Sequence, residues 1–193
     1  QRGKSFSLKQ PPWIKGRYFK NIVKQALFGV CFFNYKNQDN MTDKNLLKIA
    51  EEFGTPTYVY DAESIKNHYE KLTTSFHKST RFFYAAKALT NINILKYIKN
   101  LGAGLDCVST NEVKLGLKAG FTNDKILFTP NCVDLLEIEE AMKLKVHINI
   151  DNISILEQFG NKYGNAYPIF VRINPHIYAG GNHKISTGHI DSK

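Results

Sequence analysis

Tyr84-Ala85-Ala86-Lys87-Ala88 puts a lysine at the end of an aromatic run, Phe82-Phe83-Tyr84, with alanine on both sides. Burial in such a setting lowers an amine's pKa and frees it to attack a carbonyl compound. The small neighbours leave room for a flat ring. A lysine at a strand end is also commonly a solvated terminus, so the segment alone leaves both readings open. Ser109, Asp151 and Asn174 likewise stand where apolar runs end. His183 and His189 stand six apart, but no carboxylate or cysteine is placed to complete a site, and no metal is expected. His68, His77 and His147 are scattered and read as structural or surface residues. Cys31, Cys107 and Cys132 are far apart with no CxxC pair. That argues against a disulfide scaffold and a four-cysteine zinc site, and it fits a reducing compartment.

The elements that must hold these residues follow from the hydrophobic pattern. Thr42 or Asp43 can cap a helix over 44–53, which Gly54 ends. Thr57 to Tyr60 is a short strand, and Asp61 caps a second helix over about 62–76. A strict rhythm then sets in. Strands are expected at 81–86, 104–108, 126–128, 146–150 and 169–173, with helices at 91–101, 111–119, 135–142 and 153–159 between them. Such alternation implies a parallel sheet with right-handed crossovers. The short apolar runs read as strands buried on both faces. Polar residues at the carboxyl ends of strands, Lys87 among them, favour a barrel rim over an open sheet. No GxGxxG follows any strand, so the dinucleotide fingerprint is missing. The expected fold class is α/β, a partial (β/α)8 barrel of the TIM type.

The 193 residues carry 26 basic and 17 acidic side chains. The imbalance is local: residues 1–30 hold seven basic residues and no acid. The rest is close to neutral, which weakens a nucleic-acid-binding reading, and no apolar run is long enough to span a membrane. The chain starts at Gln1 rather than Met and ends in a loop-like Asp191-Ser192-Lys193. Truncation at both ends is the expectation, since a barrel needs eight strands and five are legible. The organisation expected is a basic leader over 1–32, an amino-terminal segment with two helices and a strand over 33–80, and an incomplete barrel over 81–193.

The ordered pieces from Phe33 onward resemble the fold-type III pyridoxal-phosphate decarboxylases. They are Phe33-Asn34-Tyr35, then Gly54 to Asp61, then Tyr84 to Ala88. Next come Gly104-Leu105-Asp106-Cys107-Val108-Ser109, Glu112 and Arg172-Ile173-Asn174-Pro175. Ala179 to Gly188 and Asp191-Ser192-Lys193 close the series. The resemblance implies that Lys87 holds pyridoxal 5'-phosphate as a Schiff base and later helps move protons. It implies that Asp106 and Arg172 are polar neighbours in the cofactor pocket and that Ala85 lines the ring. A helix cap for Asp106 and a structural ion pair for Arg172 remain as alternatives.

The 179–188 stretch favours the branch that decarboxylates meso-2,6-diaminopimelate to L-lysine. Sibling enzymes acting on ornithine, arginine or carboxynorspermidine, and a non-catalytic cofactor carrier, are the alternatives. The resemblance also implies a cytoplasmic homodimer with a second, β domain that completes the site. The partner expected is a small amino-acid substrate, not nucleic acid or membrane.

Overall fold

The computed structural model describes residues 30–33, 41–174 and 177, and among these a polar side chain starts each of six α-helices. Thr42 accepts from the Asn45 N–H at 3.3 Å and opens α1 (Asp43–Phe53). Asp61 accepts from the Glu63 N–H at 2.9 Å and opens α2 (Ala62–Thr74). Asn91 opens α3 (Ile92–Leu101), and Ser109 opens α4 (Thr110–Ala119). Asp134 and Asn152 do the same for α5 (Leu135–Lys143) and α6 (Ile153–Tyr163). Each cap satisfies N–H groups that have no partner inside the helix and is worth ~1 kcal/mol. At the other ends, α3 and α4 stop where Gly102 and Gly120 turn left-handed, at φ 102° and 95°.

The chain divides into two units, Gln1–His68 and Tyr69–Lys193. In the first, β1 (Val30–Phe33) pairs in parallel with β2 (Tyr58–Asp61). β1 straddles the boundary expected between leader and amino-terminal segment at 32/33. Four residues are too few for periodicity to announce a strand.

In the second unit, β3 (Phe83–Ala85), β4 (Gly104–Cys107), β5 (Ile126–Phe128), β6 (His147–Ile150) and β7 (Ile169–Val171) form one parallel sheet. The strands lie side by side in chain order. Successive helices α3 to α6 pack against their neighbours, so they cover the same face. A doubly wound sheet would reverse its strand order somewhere and put helices on both faces. Chain order without reversal is the order of a barrel, here part of one.

The covered face is the core. Leu105, Cys107, Ile126, Phe128, Ile148 and Ile150 are fully buried or nearly so, together with Leu95, Val113, Ile138 and Phe159 from the helices. Gly116 lets α4 lie against Leu105 and Ile126, where a side chain would collide. The opposite face is different. Asp106, Leu127, His147 and Asn149 alternate with the core residues and are only half-buried. Among the described residues, the strands are buried on the helix-covered face and half-buried on the other. Only five of the eight strands needed to enclose a barrel interior lie in this sheet.

Four of the five expected strands are shorter than expected, β4 and β6 by one residue and β3 and β7 by more. After β3, Ala86–Ala88 turns into a single 3-10 turn, so Lys87 sits just past the strand end. After β7, Arg172 still donates its backbone N–H to the Ile150 carbonyl at 2.9 Å. Among the described residues, no helix is long and apolar enough to cross a membrane.

Candidate active site

Parallel pairing lines up the residues at the carboxyl ends of the strands. Ala85 on β3 lies opposite Asp106 on β4, and Asp106 lies opposite Leu127 on β5. All three share the face turned away from the helices. Thr129, two residues past Leu127, donates its hydroxyl to Asp106 Oδ1. Its backbone N–H bonds the Cys107 carbonyl at 2.8 Å, which fixes Thr129 at the rim. The hydroxyl takes up one of Asp106's acceptor sites and sets the carboxylate's orientation.

Asp106 is thus not the cap of α4. Ser109 is, and Glu112 answers it by accepting the Val108 N–H at 2.8 Å. This reciprocal capping box accounts for both Ser109 and Glu112 structurally. It places the start of α4 directly behind Asp106. Cys107, next to Asp106 but on the helix-covered face, has its thiol pushed up to about 12. Burial is the main cause, followed by the carboxylates of Glu112 and Asp106. That thiol stays protonated and is no nucleophile.

Lys87 follows β3, the edge strand, and is exposed rather than buried. Among the described residues, β3 has a strand neighbour on the β4 side alone. Arg172 follows β7 at the opposite edge and is also exposed. Among the described residues, no hydrogen bond or ion pair joins Lys87 or Arg172 to Asp106. The sheet therefore brings Ala85, Asp106 and Thr129 together and leaves Lys87 and Arg172 at its two ends.

Two residues of this face escape the sequence reading. Thr129 is one; its only signal is a polar residue directly after a strand. The other is Asn149, on β6 opposite Phe170. Its side-chain Oδ1 is buried and has no hydrogen-bond partner among the described residues. A buried acceptor left empty costs stability, ~1–3 kcal/mol, and calls for an explanation. The alternation His147-Ile148-Asn149-Ile150 was the available signal.

His68 and His147 have structural partners, the Ser64 carbonyl at 2.7 Å and the Asp124 carbonyl at 3.1 Å. His183 and His189 lie outside the described residues, as does the 179–188 stretch.

The fold is a part-barrel of the α/β class, with a lysine, an aspartate and an arginine at or just past the carboxyl ends of its strands. Residues 62–193 match the family described as pyridoxal-dependent decarboxylase, pyridoxal binding domain, and the chain belongs to that family. The diaminopimelate decarboxylase of Methanothermobacter thermautotrophicus is 37% identical over 145 residues, covering 74% of this chain and 34% of the relative. That of Haemophilus influenzae is 32% identical over 168 residues, covering 84% of this chain and 40% of the relative. The crystal structure of diaminopimelate decarboxylase from Helicobacter pylori complexed with L-lysine superposes with a TM-score of 0.68 at 32% identity. The superposition covers 77% of this chain and 39% of that one. The chain thus spans well under half the length of these relatives.

Proposed function

We propose that this chain forms part of a pyridoxal-phosphate-dependent carboxy-lyase that converts meso-2,6-diaminopimelate to L-lysine and carbon dioxide. The observation that carries the reading is the Ala85–Asp106–Thr129 row beside Lys87, on a chain about one-third identical to diaminopimelate decarboxylases. The residues present suit the cofactor. Lys87 offers a primary amine at the strand end, and Ala85 leaves a flat ring room. Asp106 is an oriented carboxylate, Arg172 a guanidinium suited to a phosphate or carboxylate. The empty acceptor of Asn149 on the same face awaits a donor.

Pyridoxal phosphate, when bound, supplies the sink for the electron pair left behind as carbon dioxide departs. The chain's own residues do the rest. Lys87 would hold the cofactor through Nζ, and its amine would carry a proton at that nitrogen. Asp106, oriented by Thr129, would offer the cofactor a fixed negative charge. Arg172 draws in an anionic group from the far side of the sheet. In this reading a second domain, from the partner in a cytoplasmic homodimer, covers the exposed rim and excludes water.

The test is carbon dioxide release by the complete protein loaded with pyridoxal phosphate, comparing meso-diaminopimelate with L-ornithine and L-arginine. Turnover of diaminopimelate should dominate. Replacing Lys87 with Ala should remove both the Schiff-base absorbance and the activity. Unchanged turnover in that variant would sink the mechanism; preference for ornithine or arginine would sink the substrate.

A further inference from the structure

At the other end of the same strands, a cleft of about 260 Å³ opens between the end of α2 and the starts of β3 and β4. His77, Lys78, Arg81 and Lys125 line it, and no carboxylate does. Four residues of extended chain, ~13 Å, separate Arg81 from Ala85, so this cleft is distinct from the rim that carries Lys87. We propose that it is a second binding site, for a small organic anion bearing two or more negative charges on oxygen.

The argument is electrostatic and geometric. Three permanent cations and a histidine around one small cavity repel one another, and the repulsion is relieved when an anion enters. Asp124 does not line the cleft; its carboxylate is held below the usual range chiefly by a hydrogen bond from Thr122, and also by the nearby charge of Lys125, which it partly offsets. His77 Nδ1 lies 2.8 Å from the Ser79 hydroxyl and 3.3 Å from the Ser79 backbone N, which holds the ring at the cleft's lining. Thr80 adds a neutral hydroxyl to the lining, while the Thr73 hydroxyl donates to the Glu70 carbonyl at 3.1 Å.

One wall is apolar. Phe82 meets Tyr69 and Phe76 edge-to-face, with ring centroids 6.4 and 5.5 Å apart. Gly104, at the floor, lets the Phe83 ring and the Lys125 carbonyl pack closely where a Cβ would collide with both. Charged donors around part of a cavity and a rigid aromatic wall on the rest describe a pocket for an anionic head on a small carbon body.

Calorimetric titration of the complete, cofactor-loaded protein tests this, with inorganic pyrophosphate and citrate as separate ligands at about 0.15 M ionic strength. One saturable site is expected. Arg81→Ala should weaken it about tenfold, since it removes a charge-assisted pair of hydrogen bonds. The double variant Lys78→Ala/Lys125→Ala should weaken it similarly without touching β3, which covers the case in which Arg81→Ala fails to fold. Lys96→Ala, on an exposed position of α3 outside the cleft, should leave it unchanged. Tighter pyrophosphate would assign a phosphoryl ligand, and tighter citrate a polycarboxylate. No saturable binding of either, or equal weakening by Lys96→Ala, would overturn the proposal. Binding here is read without turnover, so its failure leaves the decarboxylase reading untouched.

Discussion

The two faces of the β3–β7 sheet are built from the same strands, one residue out of phase, and they have opposite characters. Leu105 and Cys107 are fully buried, while Asp106 between them is half-exposed and bonded to Thr129. Ile148 and Ile150 are buried, while Asn149 between them holds an empty acceptor. One face has close-packed apolar side chains and stabilises the fold. The other carries polar groups that the described residues satisfy only in part. Groups left partly satisfied are where a ligand gains most by binding, because it finds donors and acceptors already desolvated and oriented.

Substitutions one residue apart can break or sharpen this contrast. Phe128→Ala on the helix-covered face should cost about 3–5 kcal/mol, the usual price of truncating a buried phenyl ring, measured by denaturant unfolding. Its neighbour Thr129→Val, nearly isosteric, removes only the donor to Asp106. It should cost about 1–2 kcal/mol and also weaken cofactor retention, read by dialysis against buffer and residual absorbance.

A smaller effect is expected outside both faces, where Lys162 Nζ lies 2.6 Å from Glu139. Hydrogen bonding from Lys162, then from Tyr163, holds the Glu139 carboxyl below its ordinary value. A lowered folded pKa adds stability that is fully present above the unfolded carboxyl pKa. It is lost as pH falls through the folded one. Glu139→Gln should therefore flatten the acid limb of the stability profile and leave cofactor binding alone.

The smallest stability change is expected at Asn149→Ala, no more than about 1 kcal/mol in either direction, because the acceptor it removes is already unpaired. That variant should nonetheless lose cofactor affinity. If Phe128→Ala and Asn149→Ala destabilised equally, the division of labour between the faces would be wrong.

Much of this arrangement was legible in the chain. The caps at Thr42 and Asp61 announced α1 and α2, and β5 falls at 126–128, where the apolar run puts it. Lys87 and Asp106 stood out through their short motifs and order. The sequence leaves open whether Lys87 is buried or solvated, because a strand's apolar run says nothing about whether it has one neighbour or two; among the described residues it is exposed. Thr129 was missed because one polar residue after a strand looks like an ordinary turn. Its role depends on Asp106, 23 residues away. The cationic cleft was equally hidden, since His77, Lys78 and Arg81 read as a solvated loop until Lys125 is brought beside them.

The amino-acid pattern by itself determined which segments become helices and strands, their direction and the parallel alternation. These depend on side-chain periodicity and on caps within a few residues of one another. Only the tertiary structure decided which half of each strand's residues faces the helices. Only it decided that Asp106 meets Thr129 while Lys87 follows the edge strand, and that three cations and a histidine share one cleft. Those outcomes depend on register between strands far apart in sequence, and a shift of one residue would have exchanged the two faces.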